Sequence, residues 1–210
     1  MRRLFVNEFL TLDGVMQAPG DPNEDRRGGF EHGGWQMPYV DEVFLKALME
    51  GFSRTGGLLL GRRTYEIFAA HWPNQPADDP LAGTLNKMTK HVVSKSLREP
   101  LPWENSTLIK GELTGEIGKL KQEDGNDIQV IGSGELVQSL IRDDLIDEYR
   151  FMVHPLVLGD GTHLFREGGP TQRLRLTDSK TTGKGVLILS YVPERTRTAI
   201  PVGSAEATVR

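Results

Sequence analysis

The sequence predicts an α/β protein with a mixed central sheet flanked by helices and an antiparallel hairpin near its C-terminal end. Three observations predict it. Short apolar runs of strand length alternate with segments whose apolar residues recur at helical spacing. Two of the runs end on glycine and open straight into a helix, at Leu58-Leu59-Leu60-Gly61-Arg62-Arg63-Thr64 and at Ile128-Gln129-Val130-Ile131-Gly132-Ser133-Gly134. Late in the chain, two strand-like runs flank Thr182-Gly183-Lys184-Gly185, whose residues suit a hairpin turn.

Residues 3–10 are expected as a first strand, stopped by the turn signal Leu12-Asp13-Gly14. Residues 19–34 carry five glycines and no period, so they form no regular element. With residue 18 they read either as a lid over a site or as an inert insertion, and Arg26 and Arg27 within them either as phosphate contacts or as solvated charges. After Pro38, the spacing of Val40, Val43, Phe44, Ala47, Leu48 and Phe52 gives one apolar helix face, which Gly56-Gly57 are expected to end. A strand at 58–60 and a short helix at 64–70, ended by Pro73, follow. Residues 81–88 supply a helical turn or two, 91–94 and 107–109 are strands, and 114–121 is a helix. A strand at 128–131, a helix at 135–143 and a strand at 148–154 precede the hairpin of 174–178 and 186–192. From Glu194 the chain has few apolar residues and no period, which predicts a domain over 1–193 and a loosely docked tail over 194–210.

Composition bounds the function. A chain of 210 residues with 37% hydrophobic content supports one core and one domain. The absence of cysteine excludes disulfides, thiolate catalysis and cysteine-ligated zinc. A net charge of −4 and a pI near 5.8 argue against a nucleic-acid partner. No signal peptide and no run of the roughly 20 apolar residues a membrane span needs is visible, so a cytoplasmic protein without a membrane partner is expected. His32, His71, His91, His154 and His163 show no ligand spacing, and no metal site is expected. Trp35, Trp72 and Trp103 read as packing anchors.

The two glycine junctions carry the chemistry. The first N–H groups of a helix lack intrahelical partners, and the helix dipole adds positive charge there. Thr64 adds a hydroxyl, while Arg62 and Arg63 add planar forks that match phosphate oxygens. Two such starts in one small domain point to a dinucleotide.

Five blocks in order resemble a known family: Thr11-Leu12-Asp13-Gly14, Leu60-Gly61-Arg62-Arg63-Thr64-Tyr65-Glu66, Val93-Ser94-Lys95-Ser96-Leu97, Ile131-Gly132-Ser133-Gly134 and Pro155-Leu156-Val157-Leu158-Gly159-Asp160-Gly161. The sequence is similar to the three-layer dihydrofolate reductase-like fold over residues 3–192. Within that fold it resembles the reductase domain of bifunctional riboflavin-pathway deaminase/reductases and their stand-alone relatives.

The resemblance implies NADPH as cofactor and hydride transfer as chemistry. It assigns cofactor phosphates to Gly61, Arg62, Arg63 and Thr64, the adenosine 2′-phosphate to Ser94 and Lys95, and the pyrophosphate to Gly132, Ser133, Gly134, Glu135 and Leu136. It further implies reduction of a small pyrimidine- or pteridine-like substrate, as in 5-amino-6-(5-phosphoribosylamino)uracil reductase. With no cysteine, this sequence holds no zinc deaminase domain of the bifunctional kind. Folate reductases carry a catalytic acid near the position of Asp41, which here stands about one residue further along and reads otherwise as a solvated helix residue or a first-turn acid favoured by the dipole. Asp13 lies in the block that the family sets beside nicotinamide and substrate. A homodimer is implied too, with apolar faces offered by residues 135–141 and 147–165. The alternatives are a nucleotide-binding homologue without turnover and a dihydrofolate reductase.

Overall fold

The computed structural model describes residues 1–76 and 78–194, so the expected tail lies, apart from Glu194, outside the described residues. Eight strands form one sheet: β1 (Leu4–Thr11), β2 (Thr55–Gly61), β3 (Thr89–Val93), β4 (Ser106–Ile109), β5 (Asp127–Ile131), β6 (Glu148–His154), β7 (Leu174–Thr181) and β8 (Leu187–Pro193). Their order is β4-β3-β2-β5-β1-β6-β8-β7. The first six neighbours in that order are parallel, and β8 and β7 return antiparallel. This is the mixed α/β sheet with an antiparallel C-terminal hairpin that the sequence predicts.

Among the described residues five α-helices cover the sheet: α1 (Glu42–Ser53), α2 (Arg62–His71), α3 (Pro80–Lys87), α4 (Leu113–Gln122) and α5 (Gly134–Arg142). Side-chain alternation along each strand decides which face meets which helices. Leu58 and Leu60 join Phe44, Phe52, Tyr65 and Leu85 on the α1/α2/α3 side. Leu59, between them, joins Val6, Val130, Ile117, Val137 and Leu140 on the α4/α5 side. All three leucines are fully buried, as expected for strands covered on both faces. The result is a three-layer stack.

Two boundaries differ from expectation. Gly56 and Gly57 belong to β2 and do not stop α1, which ends at Ser53. Gly56 is needed because a Cβ there would stand 2.9 Å from the Asn126 carbonyl oxygen, where the turn before β5 crosses the strand. The helix after Gly61 begins at once on Arg62, two residues earlier than the periodicity suggests, so Gly61 itself is the N-cap.

The two edges of the parallel region are finished differently. At the N-terminal strand ends, charge pairs tie neighbours together: Arg3 to Asp127 at 2.9 Å, Arg54 to Glu148 at 2.8 Å, and Lys121 to Asp147. The C-terminal edge opens into a cleft.

Candidate active site

Gly61, Val93, Ile109 and Ile131, the last residues of β2, β3, β4 and β5, line a cleft of about 1810 Å³. Helices α2 and α5 leave adjacent strands toward opposite faces of the sheet, and the crevice between them is where α/β sheets accept ligands. Their starts touch. The Gly61 N–H donates to Ser133 Oγ at 2.9 Å, and a Cβ on Gly132 would meet Thr64 Oγ1 and Cγ2 at 3.1 Å. Gly132 and Ser133 are both left-handed, with φ of 60° and 65°. That turn ends β5, and Gly132 to Leu136, which form it and the start of α5, line the cleft. Neither Gly61 nor Ser133 caps its own helix with a side chain.

Cations gather at the α2 start. Arg62 donates from Nε to Glu66 at 2.8 Å and from Nη1 to Ser96 Oγ at 2.9 Å, joining α2 to the segment after β3. Ser94, buried at that strand end, accepts from the Ser96 and Leu97 N–H groups, and Lys95 is exposed beside it. At the α5 start, Glu135 pairs with Arg166 at 2.7 Å. The Arg166 hydrogen bond, with the nearby charges of Arg166 and Arg63, holds the Glu135 carboxyl below its ordinary range. Residues 61–64, 94–95 and 132–136, expected as one cofactor set, all line this cleft.

The other end of the cleft is apolar, lined by Phe9, Met37, Val40, Phe44, Leu48, Phe52 and Trp72. Trp103 is buried with its Nε1 donating to Asn86, whereas Trp72, expected only as a packing anchor, borders the cleft with its Nε1 unpartnered. The glycine-rich segment forms a wall here. Gln17 donates to the Asp25 and Arg27 carbonyls, the Trp35 indole donates to the Gln17 carbonyl at 2.7 Å, and Glu24 accepts from the Gly20 N–H at 2.7 Å. The segment is therefore cross-braced rather than a free string of glycines.

The sequence model of the RibD C-terminal domain matches residues 2–188. The chain belongs to that family. It is similar to YyaP, an uncharacterized protein of Bacillus subtilis (strain 168), with 26% identity over 90% of this chain and 94% of the relative. Among solved structures it resembles a proposed riboflavin biosynthesis protein of Shewanella sp. PV-4, with a TM-score of 0.68, 26% identity, and coverage of 92% of this chain and 99% of that one. Acinetobacter baumannii RibD shares the fold with a TM-score of 0.61 and 14% identity, and the chain covers 58% of its length.

Within this RibD C-terminal domain, the two acids singled out from the sequence lie outside the cleft lining. Asp41 is the N-cap of α1. It accepts from the Phe44 N–H at 2.8 Å and from the Lys184 N–H of the β7–β8 turn at 3.1 Å, and these bonds, Phe44 first, lower its pKa. Asp13 accepts from the Gly159 N–H at 2.8 Å and from Leu158, pinning the loop after β6. What burial would do to raise the Asp13 pKa is outweighed by the bonds from Thr11, Gly159 and Leu158, and it is lowered. Both carboxylates do structural work in these positions. Of the acids that line the cleft, Glu8, in the middle of β1, is the buried one, with 2% of its surface exposed. Its signal in the sequence was a glutamate among the apolar residues Val6, Phe9 and Leu10.

Proposed function

We propose that this protein is an NADPH-dependent reductase of the riboflavin-pathway type, acting on a small pyrimidine- or pteridine-like molecule as a cytoplasmic homodimer. The observation that carries this reading is the pair of helix starts without side-chain caps, joined by the Gly61–Ser133 bond and facing one cleft. The residues fit a dinucleotide phosphate. Gly132 leaves open the space a Cβ would take against Thr64, and the donor set is backbone N–H, hydroxyl and guanidinium, all suited to phosphate oxygens. Gly61, Arg62, Arg63 and Thr64 would hold one phosphate region, Gly132 to Leu136 the pyrophosphate, and Ser94 and Lys95 a 2′-phosphate. Arg62, which reaches the same segment through Ser96, and Lys95 are two cations beside the Ser94 hydroxyl, and together they favour the 2′-phosphate of NADPH over the free ribose of NADH. The bound nicotinamide supplies the hydride.

The protein's own part is alignment and exclusion of water. Phe9, Phe44, Leu48 and Phe52 make a dry chamber for a flat heterocycle, and the braced wall of residues 17–27 closes one side. Phe165, half exposed, offers apolar surface to a second copy. Titrating NADPH and NADH into the purified protein, followed by nicotinamide fluorescence, tests the reading. Selective binding of NADPH is expected, and binding of neither overturns it. A homologue that binds without turnover is the second reading, favoured by the positions of Asp41 and Asp13 outside the cleft lining. It predicts selective NADPH binding with no NADPH oxidation in a screen of pyrimidines and pteridines.

A further inference from the structure

Glu8 is the buried acid that the cofactor map leaves without a role. On β1 it alternates with Val6 and Leu10, which belong to the core on the α4/α5 side, and its neighbour Phe9 turns the other way to stack on Phe44 at 5.9 Å. The carboxyl thus sits on the same face as the β5–α5 junction, with the Gly132 backbone N–H set against it, and away from the Phe9–Phe44 chamber. It lines the cleft, and its Oε1 is buried with no partner among the described residues. Across β6 the residue in register is the apolar Phe151. The charged groups at that end, Arg63, Glu135 and Arg166, act on one another, and no charged side chain of the described residues is among the influences on Glu8. Burial pushes its pKa well above the ordinary value, with Gly132 offsetting only part of that.

A buried carboxylate with no cation is costly, so a group so placed retains its proton. A neutral carboxyl presents an O–H donor and a C=O acceptor along one edge. That edge is complementary to a primary carboxamide, whose C=O accepts and whose NH2 donates. We propose that Glu8 is a cofactor-positioning group: in its protonated form it pairs edge to edge with the nicotinamide carboxamide, fixing the rotation of the reacting ring. The proposal rests on the dinucleotide reading above and deepens it, since phosphate contacts alone leave the ring free to turn.

The test is calorimetric titration of two probes, NADPH and 2′-phospho-ADP-ribose, which lacks the nicotinamide. In Glu8→Leu, NADPH is expected to bind about tenfold or more weakly while 2′-phospho-ADP-ribose stays within about twofold of wild type. Glu8→Gln, whose amide also pairs with an amide, should hold NADPH within about threefold. Raising the pH should weaken NADPH binding to wild type, as the carboxyl ionises, and leave Glu8→Gln unaffected. Should Glu8→Leu fail to fold, this contrast in pH dependence decides alone. The proposal is overturned if both variants bind NADPH as wild type does at every pH, or if both probes weaken together in both variants. A wild type that binds neither probe fails earlier, at the dinucleotide reading. A wild type that binds 2′-phospho-ADP-ribose but not NADPH overturns the role of Glu8 while sparing the phosphate map.

Discussion

Helices α1, α3 and α4 begin in one way and α2 and α5 in another. Each of the first three starts behind a carboxylate of its own chain: Asp41 accepts from Phe44 at 2.8 Å, Asp79 from Leu81 and Ala82 at 2.8 and 2.9 Å, and Glu112 from Thr114 and Gly115 at 2.9 and 2.8 Å. The other two start on Gly61 and Ser133, neither of which caps its helix with a side chain. Ser133 instead spends its hydroxyl on the neighbouring start, through Gly61. A side-chain cap contributes about 1 kcal/mol to stability, and α1, α3 and α4 take that contribution. The two exceptions stand next to each other, across adjacent strand ends. Orphan donors left without an internal acceptor are donors kept for an external one, so the contrast locates the site more sharply than either glycine motif alone.

Converting one start into the other kind has the largest expected effect. Gly61 has φ −74° and ψ 160°, extended backbone that aspartate adopts readily, and a Cβ there would meet Ser133 only at 3.4 Å. Gly61→Asp should therefore cap α2 and hold or raise the melting temperature, while NADPH affinity falls by about 3 kcal/mol or more as a carboxylate competes with phosphate for the same donors. Calorimetry and thermal melting on the same sample separate the two effects. Unchanged NADPH binding in a stably folded variant would break the comparison. Arg62→Ala should weaken NADPH by about 1.5 to 3 kcal/mol, the scale of a charge-assisted hydrogen bond, and should narrow its preference over NADH. Equal losses for both nucleotides would instead move Arg62 away from the 2′-phosphate.

This difference between helix starts was only half visible in the sequence. The junctions at Gly61 and Gly132 were legible because an apolar run ending on glycine before a helical period has few other meanings, and the strands were legible because Leu58, Leu59 and Leu60 need cover on both faces. The bond from Gly61 to Ser133 was not legible, since it joins residues 72 positions apart and follows from the pairing of β2 with β5. Gly56-Gly57 misled the boundary of α1 because glycine before a strand reads as a stop, whereas the chain crossing at Asn126 is a tertiary fact. Glu8 was overlooked for a related reason. One acid in an apolar strand looks like a solvent-facing position until β1 takes its place between β5 and β6 in a sheet with helices on both faces. Asp41 sits at an N-cap position about one residue from where a family acid would sit, and the hydrogen bonds from Phe44 and Lys184 show it as the cap.

Two smaller effects sharpen the capped side of the comparison. Asp79→Ala should cost about 1 kcal/mol of stability in chemical denaturation, and NADPH affinity should not move, because the lost acceptor serves Leu81 and Ala82 within α3. If NADPH binding moved as well, α3 would belong to the binding side.

Asp41→Asn should have the least effect of all. Asparagine caps a helix about as well as aspartate, so α1 should keep its start, and any NADPH oxidation the protein supports should persist. The change should show only in acid. The native Asp41 pKa lies below its ordinary value of 3.8, through the Phe44 and then the Lys184 N–H bonds, so its contribution is fully present above that value and is lost as the pH falls through the lowered one. Acid melting of the wild type should therefore include a proton-uptake step that Asp41→Asn lacks, readable as a shallower dependence of melting temperature on pH below about 4. Loss of NADPH oxidation with NADPH binding intact would instead make Asp41 a proton donor. A carboxylate would then serve both as a cap and in the reaction, and the division between closed and open helix starts would fail at α1.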